Sequence, residues 1–431
     1  MKIAMMTNNY KPFVGGVPIS VERLSMGLRS RGHEVCIFAP AYGEDLDGLE
    51  PYEEDVVRYG KGRRQMENGM VIPNVLDERI KEEFAYRRFD LIHVHQPMLI
   101  GNVAKHYSRK YHIPLVFTWH TRYEEYLHYL KPFSGMEEEQ KVKRFFYEKC
   151  KKGLPYYMKA FANGCDLIYA PSGEMQRYLK EQQVKPEVRV LPTGLSEDSF
   201  VEEKERSKNI RRELLKDREV SDRKLLFCTV SRIEKEKNLY FLLDAVKELR
   251  NRLGDTFRFV LVGDGSERKS LQSYAEEKGL GNTVHFTGGV PNEEVKHYLF
   301  ASDLFLFSSK SETQGIVLAE AMAARLPVSA VRACGVNDIV KDGVNGSLSS
   351  ECLEEYVEQT IRMAEDESYR KVLGKQARET AKQYDCRAVA RQAEDGYITI
   401  CSEQERSGQY GYDIYGQEAH EPSLLRLFKV S

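Results

Sequence analysis

The chain has 431 residues, of which 41% are hydrophobic and 31 are glycine, so it can bury a sizeable core in two to three domains. The 64 basic and 66 acidic residues give a net charge of −2, which argues against nucleic-acid binding. The longest apolar runs are five residues, far short of the roughly 17 to 25 of a membrane-spanning helix. A strand pattern from Lys2 excludes a secretory signal peptide, and eight cysteines without a C-x-x-C pair predict reduced thiols in a cytosolic protein.

Short apolar runs alternate with helical stretches along the chain. In the first half the predicted strands are Lys2–Thr7, Glu34–Ala39, Leu91–His95, Leu115–Trp119, Leu167–Pro171 and Val188–Pro192. The pattern restarts after a charged break with Leu225–Ser231, Phe257–Gly263, Thr283–Gly288, Leu304–Ser308 and Leu326–Val331. Strands that alternate with helices are typical of parallel sheets built from β-α-β units. The sequence therefore predicts an α/β protein with two halves.

Two glycines, Gly15 and Gly16, follow the first predicted strand in the segment NNYKPFVGGV. Glycine lets a ligand approach the backbone closely, and the N-terminus of the helix that follows favours an anion. The segment has no G-x-G-x-x-G pattern, which disfavours a dinucleotide. A tight turn without a ligand is the alternative interpretation.

Histidines lie at the ends of two predicted strands. His120, in FTWHT, directly follows an apolar run, and open α/β sheets bind ligands at the carboxyl ends of their strands. A structural hydrogen bond is the alternative for this residue. His93 and His95 alternate along one strand, so we expect them to face opposite sides and not to share a metal, with at least one of them structural.

Charged residues and glycines follow the first two strands of the second half. Arg232 and Lys237, in VSRIEKEKNL, place a planar guanidinium and a mobile ammonium close together, which suits a diphosphate. Ordinary surface charge is the alternative. Gly263, in FVLVGDGSE, belongs to half of a nucleotide-binding fingerprint and is a weak signal by itself.

The segment SSKSETQGIVLAEAMAARLPVSA is the most informative one. If Glu312 and Glu320 were both helical, eight residues would separate them by roughly 12 Å, too far for the carboxyl pair of a glycoside hydrolase. That separation suits two parts of one long ligand, and the turn from Thr313 to Ile316 can direct backbone N–H groups at phosphate. The helix is apolar nearly all round, so it should be buried, and a lone Glu320 on it needs a partner.

The ordered set of motifs resembles the family-4 retaining glycosyltransferases of the GT-B fold. The matching segments are the Gly15–Gly16 pair, TWHT, SRIEKEKN, VGDG, VHFTGGV, SETQGIVLAEAMAA with its E-x7-E spacing, and GVNDIVKDGVNG. The resemblance implies two Rossmann-like parallel-sheet domains facing a cleft. It places an acceptor-binding domain at 1–195, a nucleotide-sugar-binding domain at 196–385, a helix over about 386–403 that returns to the first domain, and a polar tail at 404–431.

The same resemblance implies a role for each candidate residue. Glu312 would contact hydroxyls of the donor hexose, Glu320 would hold the ribose, and Arg232 and Lys237 would neutralise the diphosphate. His120 would lie against the transferred sugar, and it is implied to be catalytic together with Glu312, Arg232 and Lys237. The residues implied to bind the donor are Gly15, Gly16, Arg232, Lys237, Gly263, Val290, Glu312, Thr313, Gln314, Gly315, Ile316 and Glu320. No metal or other cofactor is implied, because the cations already balance the diphosphate.

One position departs from the family pattern. The family usually has glycine after EAMAA, where it permits a positive backbone angle at the helix end, and this chain has Arg325. A distorted turn is therefore expected there.

Within the family, the segments TWHTRYEEYLHYL and VSRIEKEKNL are most similar to bacterial diacylglycerol glucosyltransferases that use UDP-glucose. Residues 141–160 carry seven basic residues against one acidic residue, interleaved with aromatics, a composition that suits an anionic bilayer. The expected membrane contacts are Lys143, Arg144, Lys149, Lys151 and Lys152. The location is then cytoplasmic, peripheral on the inner face of the membrane; an ordinary solvated helix is the equal alternative.

Other functions remain open at this stage. The acceptor can equally be a saccharide or a small metabolite. A sugar-nucleotide epimerase or hydrolase of the same fold, a dinucleotide oxidoreductase and a binding module without catalysis are the further alternatives. The missing fingerprint disfavours the oxidoreductase, and the complete donor set disfavours the binding module.

Overall fold

The computed structural model describes residues 1–13, 15–42, 55–61, 71, 74–120, 141–215, 224–310 and 312–407, with residues 61 and 141–151 described by their backbone alone. The chain forms two compact units. The first unit comprises Met1–Pro171, Met175–Pro192 and Arg387–Ser431, and the second comprises Ser172–Glu174 and Thr193–Cys386. The domain limits expected from the sequence were 195 and 385.

The described part of the first unit contains a seven-stranded parallel sheet. Its strands are β1 (Lys2–Met6), β2 (Glu34–Ala41), β3 (Val56–Lys61), β4 (Leu91–Val94), β5 (Leu115–Thr118), β6 (Leu167–Ala170) and β7 (Glu187–Val190). They are arranged in the order β3-β2-β1-β4-β5-β6-β7, and each neighbouring pair is parallel. The order reverses between β1 and β4, and open sheets of this kind bind ligands at such a reversal.

Five helices accompany these strands in the described residues: α1 (Gly16–Ser30), α2 (Glu78–Arg87), α3 (Ile100–Tyr111), α4 (Lys141–Ala162) and α5 (Gly173–Glu181). Their apolar positions recur at helical spacing. In α3, Ile100, Ala104 and Tyr107 are buried in the core of the first unit. Asp77 caps the start of α2, since its carboxylate accepts the backbone N–H of Arg79 at 3.0 Å.

The second unit repeats the arrangement with six parallel strands in its described residues. They are β8 (Leu225–Val230), β9 (Phe257–Val262), β10 (Val284–Gly288), β11 (Leu304–Phe307), β12 (Val328–Val331) and β13 (Gly346–Ser349), in the order β10-β9-β8-β11-β12-β13. The helices are α6 (Lys204–Leu215), α7 (Leu239–Leu253), α8 (Arg268–Glu277), α9 (Asn292–Ala301), α10 (Ile316–Ala323), α11 (Val336–Ile339), α12 (Leu353–Glu365) and α13 (Glu367–Ala381). Here the strand order reverses between β8 and β11.

All eleven strands predicted from the sequence are confirmed, within two residues of their predicted ends. The sequence missed β3, a strand at the sheet edge, and β13. The β13 segment reads Gly-Ser-Leu-Ser, which has little strand propensity. Gly346 is paired with Val328, and a Cβ there would lie 2.2 Å from the Val328 carbonyl oxygen. Close backbone approach, which the apolar pattern does not encode, therefore places this strand.

The last described helix, α14 (Cys386–Ser407), packs within the first unit. The Tyr169 hydroxyl donates to the carbonyl of Ala393 at 2.9 Å, and a Cβ at Gly396 would lie 2.1 Å from that hydroxyl. Glu394 forms an ion pair with Arg31, and its Oε1 lies 2.9 Å from His33 Nε2. The helix predicted over 386–403 is thus present and continues to Ser407. The tail that follows lies outside the described residues.

The cysteines with described side chains are free thiols, as the sequence predicts: Cys36, Cys165, Cys228, Cys334, Cys352, Cys386 and Cys401.

Candidate active site

The second unit brings two charged segments together at the carboxyl edge of its sheet. One segment follows β8 and the other follows β11, and these two strands are neighbours on either side of the reversal in strand order. Parallel strands end at the same edge, so residues that are about 75 positions apart in sequence become adjacent.

Lys237 and Glu312 form an ion pair between these segments. Lys237 Nζ lies 2.5 Å from Glu312 Oε1, and the two side chains are 12% and 20% exposed. The Ser309 hydroxyl donates to the same carboxylate oxygen at 3.0 Å. The Ser308 hydroxyl is within 3.1 Å of the carbonyl of Lys237 and 2.9 Å of that of Asn238, which ties the two segments together. The pair offers a cation suited to phosphate beside a carboxylate suited to hydroxyl groups.

Arg232 lies in the segment after β8 but outside this pair. Its side chain is 62% exposed, and Nη2 lies 3.1 Å from Glu236 Oε1. Of the predicted catalytic residues in the second unit, the structure thus joins Lys237 to Glu312 and places Arg232 on the exposed part of the same loop.

The turn that the sequence predicts before α10 is present. Gly315 precedes the helix with φ of 73°, a left-handed conformation that favours glycine. Gln314 is buried, and its side-chain amide accepts from the N–H of Thr193 at 2.8 Å and donates to the Thr193 carbonyl at 3.3 Å. Both ends of the Gln314 side-chain amide are therefore hydrogen-bonded within the protein. Any contact of Gln314 with a ligand would come from its backbone. Thr313 and Ile316 are half-buried at the same turn.

The helix α10 is buried, as predicted from its apolar surface, and Glu320 is its half-buried acid. The separation expected between Glu312 and Glu320 assumed a helix through both residues. That condition is not met, because the helix begins at Ile316 and Glu312 lies in the preceding turn. Helical rise therefore does not set the distance between the two carboxylates.

The turn after α10 keeps its left-handed backbone without glycine. Arg325 has φ of 64°, and its N–H donates to the carbonyl of Met322 at 2.9 Å. The expected distortion of this turn is therefore absent, and the chain instead bears the strain of a side chain in a left-handed conformation.

Gly263 packs against the loop that follows β8. Its φ is 143°, and a Cβ there would lie 1.9 Å from the carbonyl oxygen of Ser231. Gly265 makes a similar approach to the Ile233 carbonyl, at 2.2 Å. Both glycines are thus explained by close backbone packing beneath the charged segment. Val290 is half-buried against the core of the second unit.

In the first unit, Gly15 and Gly16 precede and begin α1. Gly15 has φ of 179°, which any residue adopts, and its missing side chain makes room for the Phe13 ring, 3.1 Å from a Cβ built there. Gly16 is exposed, and a Cβ at this position would meet no described atom within 4 Å. The backbone angle of Gly15 is one that any residue adopts. The space beside Gly16 is open, so a ligand could approach the backbone there.

A buried amide network joins the ends of β1 and β4, and sequence analysis missed it. Gln96 Oε1 accepts the N–H of Asn8 at 2.8 Å, and Gln96 Nε2 donates to Asn9 Oδ1 at 2.8 Å. Asn8 Nδ2 donates to the Met98 carbonyl at 2.9 Å. The sequence shows that these polar residues directly follow two predicted strands, but only the structure shows that the two strands are neighbours.

Three imidazoles lie at the same edge. The rings of His93 and His95 stack with centroids 4.4 Å apart, and those of His95 and His120 lie 5.2 Å apart. The expectation that His93 and His95 face opposite sides is therefore wrong, because residues two apart along a strand point to the same face. Burial lowers the pKa of His93 to about 3 and that of His120 to about 3, and it holds the pKa of His95 well below the usual range. All three rings are neutral at neutral pH.

The basic segment expected at a membrane forms α4. The side chains of four of the five expected membrane contacts lie outside the described part of the chain: Lys143, Arg144, Lys149 and Lys151. Further along the helix, Lys152 is exposed and Tyr156 is 77% exposed, whereas Met158 and Phe161 are buried in the core. The last turns of α4 thus have a packed face and a solvent face. Among the described helices, none is both long and apolar enough to cross a bilayer.

Across the described ranges, no three His, Cys, Asp or Glu side chains converge in the manner of metal ligands.

Comparison with known families gives one match for each half of the chain. Residues 14–199 match the family described as Glycosyltransferase Family 4, and residues 210–380 match the family described as Glycosyl transferases group 1. The two matches follow one another in the order of the two units.

Similar individual proteins cover nearly the whole chain. It is 27% identical over 402 residues to alpha-monoglucosyldiacylglycerol synthase of Acholeplasma laidlawii, across 93% of this chain and 97% of that protein. It is 29% identical over 361 residues to the synthase of the same name from Streptococcus pneumoniae, across 81% and 75%. Among solved structures, Anabaena Alr3699/HepE in complex with UDP superimposes with a TM-score of 0.70 at 21% identity, across 93% of this chain and 100% of that one. This last likeness shows a shared fold.

Proposed function

The chain belongs to the family-4 glycosyltransferases of the GT-B fold, enzymes that transfer a sugar from a nucleotide sugar, and we propose that it moves glucose from UDP-glucose to a hydroxyl of diacylglycerol. The two relatives described above are named as monoglucosyldiacylglycerol synthases, which supports glucose and diacylglycerol. The HepE structure is a complex with UDP, which supports the nucleotide.

The observation that carries the proposal is the Lys237–Glu312 ion pair at the reversal of strand order in the second unit. A nucleotide sugar presents a diphosphate beside a ring of hydroxyl groups. The ammonium of Lys237 is suited to the first group, and the carboxylate of Glu312 is suited to the second. A dinucleotide also carries a diphosphate and hydroxyl groups, so the missing G-x-G-x-x-G pattern, and not this pair, disfavours a dinucleotide oxidoreductase.

The mechanism follows from the charge that develops in the transition state. Departure of the nucleotide builds negative charge on the diphosphate and positive charge on the anomeric carbon. We assign Lys237, Arg232 and the backbone N–H groups of the turn before α10 to the diphosphate, and Glu320 to the ribose. These cations make a metal unnecessary in the proposed mechanism. Retention of configuration would follow from attack on the face that the nucleotide leaves, with a phosphate oxygen taking the acceptor proton.

His120 has a different part in this proposal. With its pKa at about 3, the imidazole is uncharged at neutral pH. It therefore serves as a hydrogen-bond partner for a hydroxyl of the transferred sugar, not as a cation that competes for phosphate.

The acceptor proposal rests on α4 as well as on the relatives. The exposed Lys152 and Tyr156 lie on the solvent face of its last turns, and the helix as a whole is strongly basic. Basic and aromatic side chains together favour the surface of an anionic bilayer, where diacylglycerol resides. We therefore propose a peripheral enzyme on the cytoplasmic face of the membrane.

The decisive experiment incubates the full chain with UDP-glucose, GDP-mannose or UDP-N-acetylglucosamine and with diacylglycerol vesicles, a saccharide or no acceptor, and identifies products by mass spectrometry. We expect monoglucosyldiacylglycerol with the α linkage from UDP-glucose, at the same rate in EDTA. Products on the saccharide alone would refute the lipid acceptor, and donor turnover without acceptor would instead indicate an epimerase or hydrolase.

A vesicle assay tests the membrane part separately. Replacing Lys149, Lys151 and Lys152 with Glu is expected to weaken sedimentation with anionic vesicles. The matched control replaces Lys208, Lys371 and Lys382, three exposed lysines of the second unit, and changes the net charge by the same amount. Equal sedimentation of both variants would remove α4 from the membrane contact.

A further inference from the structure

Three imidazoles of the first unit, those of His93, His95 and His120, stack on one another. The proposed reaction gives no role to His95. His93 lies within β4, and His95 and His120 lie just past the ends of β4 and β5. Ring stacking places His95 between the other two.

His93 is accounted for by the fold. Its Nδ1 lies 2.7 Å from the hydroxyl of Tyr397 in α14, and its Nε2 lies 2.6 Å from the hydroxyl of Thr118 in β5. Both ring nitrogens therefore have partners, and the ring anchors α14 to the sheet. This is the structural role expected for at least one of the two histidines in the β4 segment.

His95 is not accounted for in this way. It is 1% exposed, and its Nδ1 lies 2.9 Å from Nε2 of His120. Its other nitrogen, Nε2, is buried with no hydrogen-bond partner in the described part of the chain. A residue needed only for packing would be better served by an apolar side chain of similar size, because burying an unpaired polar atom costs free energy.

The unpaired nitrogen determines where the protons are. Two neutral imidazoles that share one hydrogen bond must consist of one donor and one acceptor. If His120 donated from Nε2, the proton of His95 would reside on its buried Nε2 without an acceptor. If His95 donates from Nδ1, only a lone pair is left unpaired, and buried donors without partners are rarer than buried acceptors. The second arrangement leaves the proton of His120 on its Nδ1.

We propose that His95 is a positioning residue that donates from Nδ1 to Nε2 of His120, and so fixes both the plane of the His120 ring and the nitrogen that carries its proton. The hydrogen bond of one ring nitrogen sets the state of the other, so a hydroxyl of the reacting sugar meets His120 in a single tautomer. This inference rests on the role proposed for His120 in sugar transfer. It extends that role to a residue that touches neither substrate.

The kinetic test combines His95→Leu, His95→Asn and His120→Ala. The Leu variant removes the donor, whereas the Asn variant keeps an amide near the position of Nδ1. We expect His95→Leu to lower kcat about tenfold or more with little change in the KM for UDP-glucose, and His95→Asn to recover most of the loss. In a His120→Ala background, His95→Leu should have almost no further effect, because its role acts through His120.

His297→Leu is the matched control. His297 is a buried histidine of the second unit that also has an unpartnered ring nitrogen, Nδ1, in the described residues. Its replacement should leave kcat unchanged. A similar loss in this variant would mean that any buried histidine substitution weakens the enzyme, and would overturn the specific role of His95.

A spectroscopic test separates this inference from the proposed function. Nitrogen NMR of histidine-labelled protein should show the proton of His120 on Nδ1 in the wild type, and a mixture of tautomers in His95→Leu. A wild-type proton on Nε2, or an unchanged tautomer in the variant, overturns the proposal even if transfer is slow. Conversely, full activity of His120→Ala would refute the proposed role of His120 in the reaction. If His95→Leu does not fold, the wild-type spectrum and His95→Asn still decide.

Discussion

The two sheets share one topology but have different chemistry at their carboxyl edges. In both, the reversal in strand order is flanked by the first strand of the unit and by a later one, β1 with β4 and β8 with β11. In the second unit this edge carries the Lys237–Glu312 pair. In the first unit it carries the amide network around Gln96 and three neutral imidazoles.

This difference shows that the fold supplies the place and the residues after the strands supply the chemistry. A charged edge can compensate a diphosphate, which no arrangement of neutral groups does as well. A neutral edge of amides and imidazoles can hydrogen-bond hydroxyl groups without attracting the phosphates of the donor. One duplicated architecture can thus carry two chemically different surfaces.

The largest expected effect comes from removing charge at the second edge. Lys237→Ala and Glu312→Ala should each slow transfer by about 100-fold or more, because stabilisation of the leaving diphosphate and of the sugar is lost. Initial rates of product formation measure the effect. Lys296→Ala is the matched control, since this lysine is 14% exposed and is ion-paired to Asp198 at 2.7 Å in the same unit. Rates near wild type in either site variant would contradict the assignment.

At the first edge, Gln96→Leu should destabilise the first unit. The change leaves the N–H of Asn8 and the buried amide of Asn9 without their partner, which should cost about 2 to 4 kcal/mol in the free energy of unfolding. Hydrogen exchange in peptides from the first unit measures the loss. Gln176→Leu removes a single hydrogen bond, to the Val188 carbonyl, at a half-buried position, and should cost less. Equal losses of unfolding free energy in the two variants would mean that the network around Gln96 stabilises the first unit no more than a single hydrogen bond does.

The neutral imidazoles predict a pH dependence of the first unit. The pKa of His93 is about 3 in the folded protein and about 6.5 in an unfolded chain. Above about pH 6.5 neither state binds the proton, so stability is at its full value. As the pH falls towards 3, the unfolded chain binds protons that the buried rings do not accept, and stability is lost. Thermal unfolding between these limits should show the decline, and His93→Asn should have a shallower slope than the wild type.

The smallest effect is expected at the turn after α10, behind the charged edge. Arg325→Gly should raise the free energy of unfolding by about 1 kcal/mol, because glycine adopts the left-handed backbone without strain. Arg325→Ala keeps a Cβ in the same conformation and should give no such gain. Thermal unfolding of both variants measures the difference. A gain in the Ala variant would place the cost in the arginine side chain, not in the backbone.

Much of the fold could be predicted because apolar periodicity reports local structure directly. Several of the strands that were found, such as β4, β5 and β11, are continuous buried runs, which the apolar pattern of the sequence indicates directly. The strand around Gly346 was missed because its position depends on close approach to Val328, a contact over 18 residues. Short, polar strands at sheet margins depend on their neighbours more than on their own composition.

The candidate site also has features that the sequence predicted and features that it did not. The turn at Gly315 and the burial of α10 were predicted, because a glycine and an apolar helix carry their own signal. The expectation of opposite faces for His93 and His95 misapplied the two-residue period of a strand, which places residues two apart on one face, and their stacking follows that period. The partnership of Gln96 with Asn9 was not predictable without knowing that β1 and β4 are neighbours.

By itself, the sequence determined the class of the fold, its two α/β halves and the charged and glycine-bearing segments that follow particular strands. It did so because hydrophobic pattern, turn residues and charge are properties of short stretches of chain. Only the tertiary structure decided that Lys237 meets Glu312, that Gln314 holds Thr193, and that His95 stands between two other imidazoles. Those pairings depend on which strands lie side by side, and strand order is set by packing of the whole sheet.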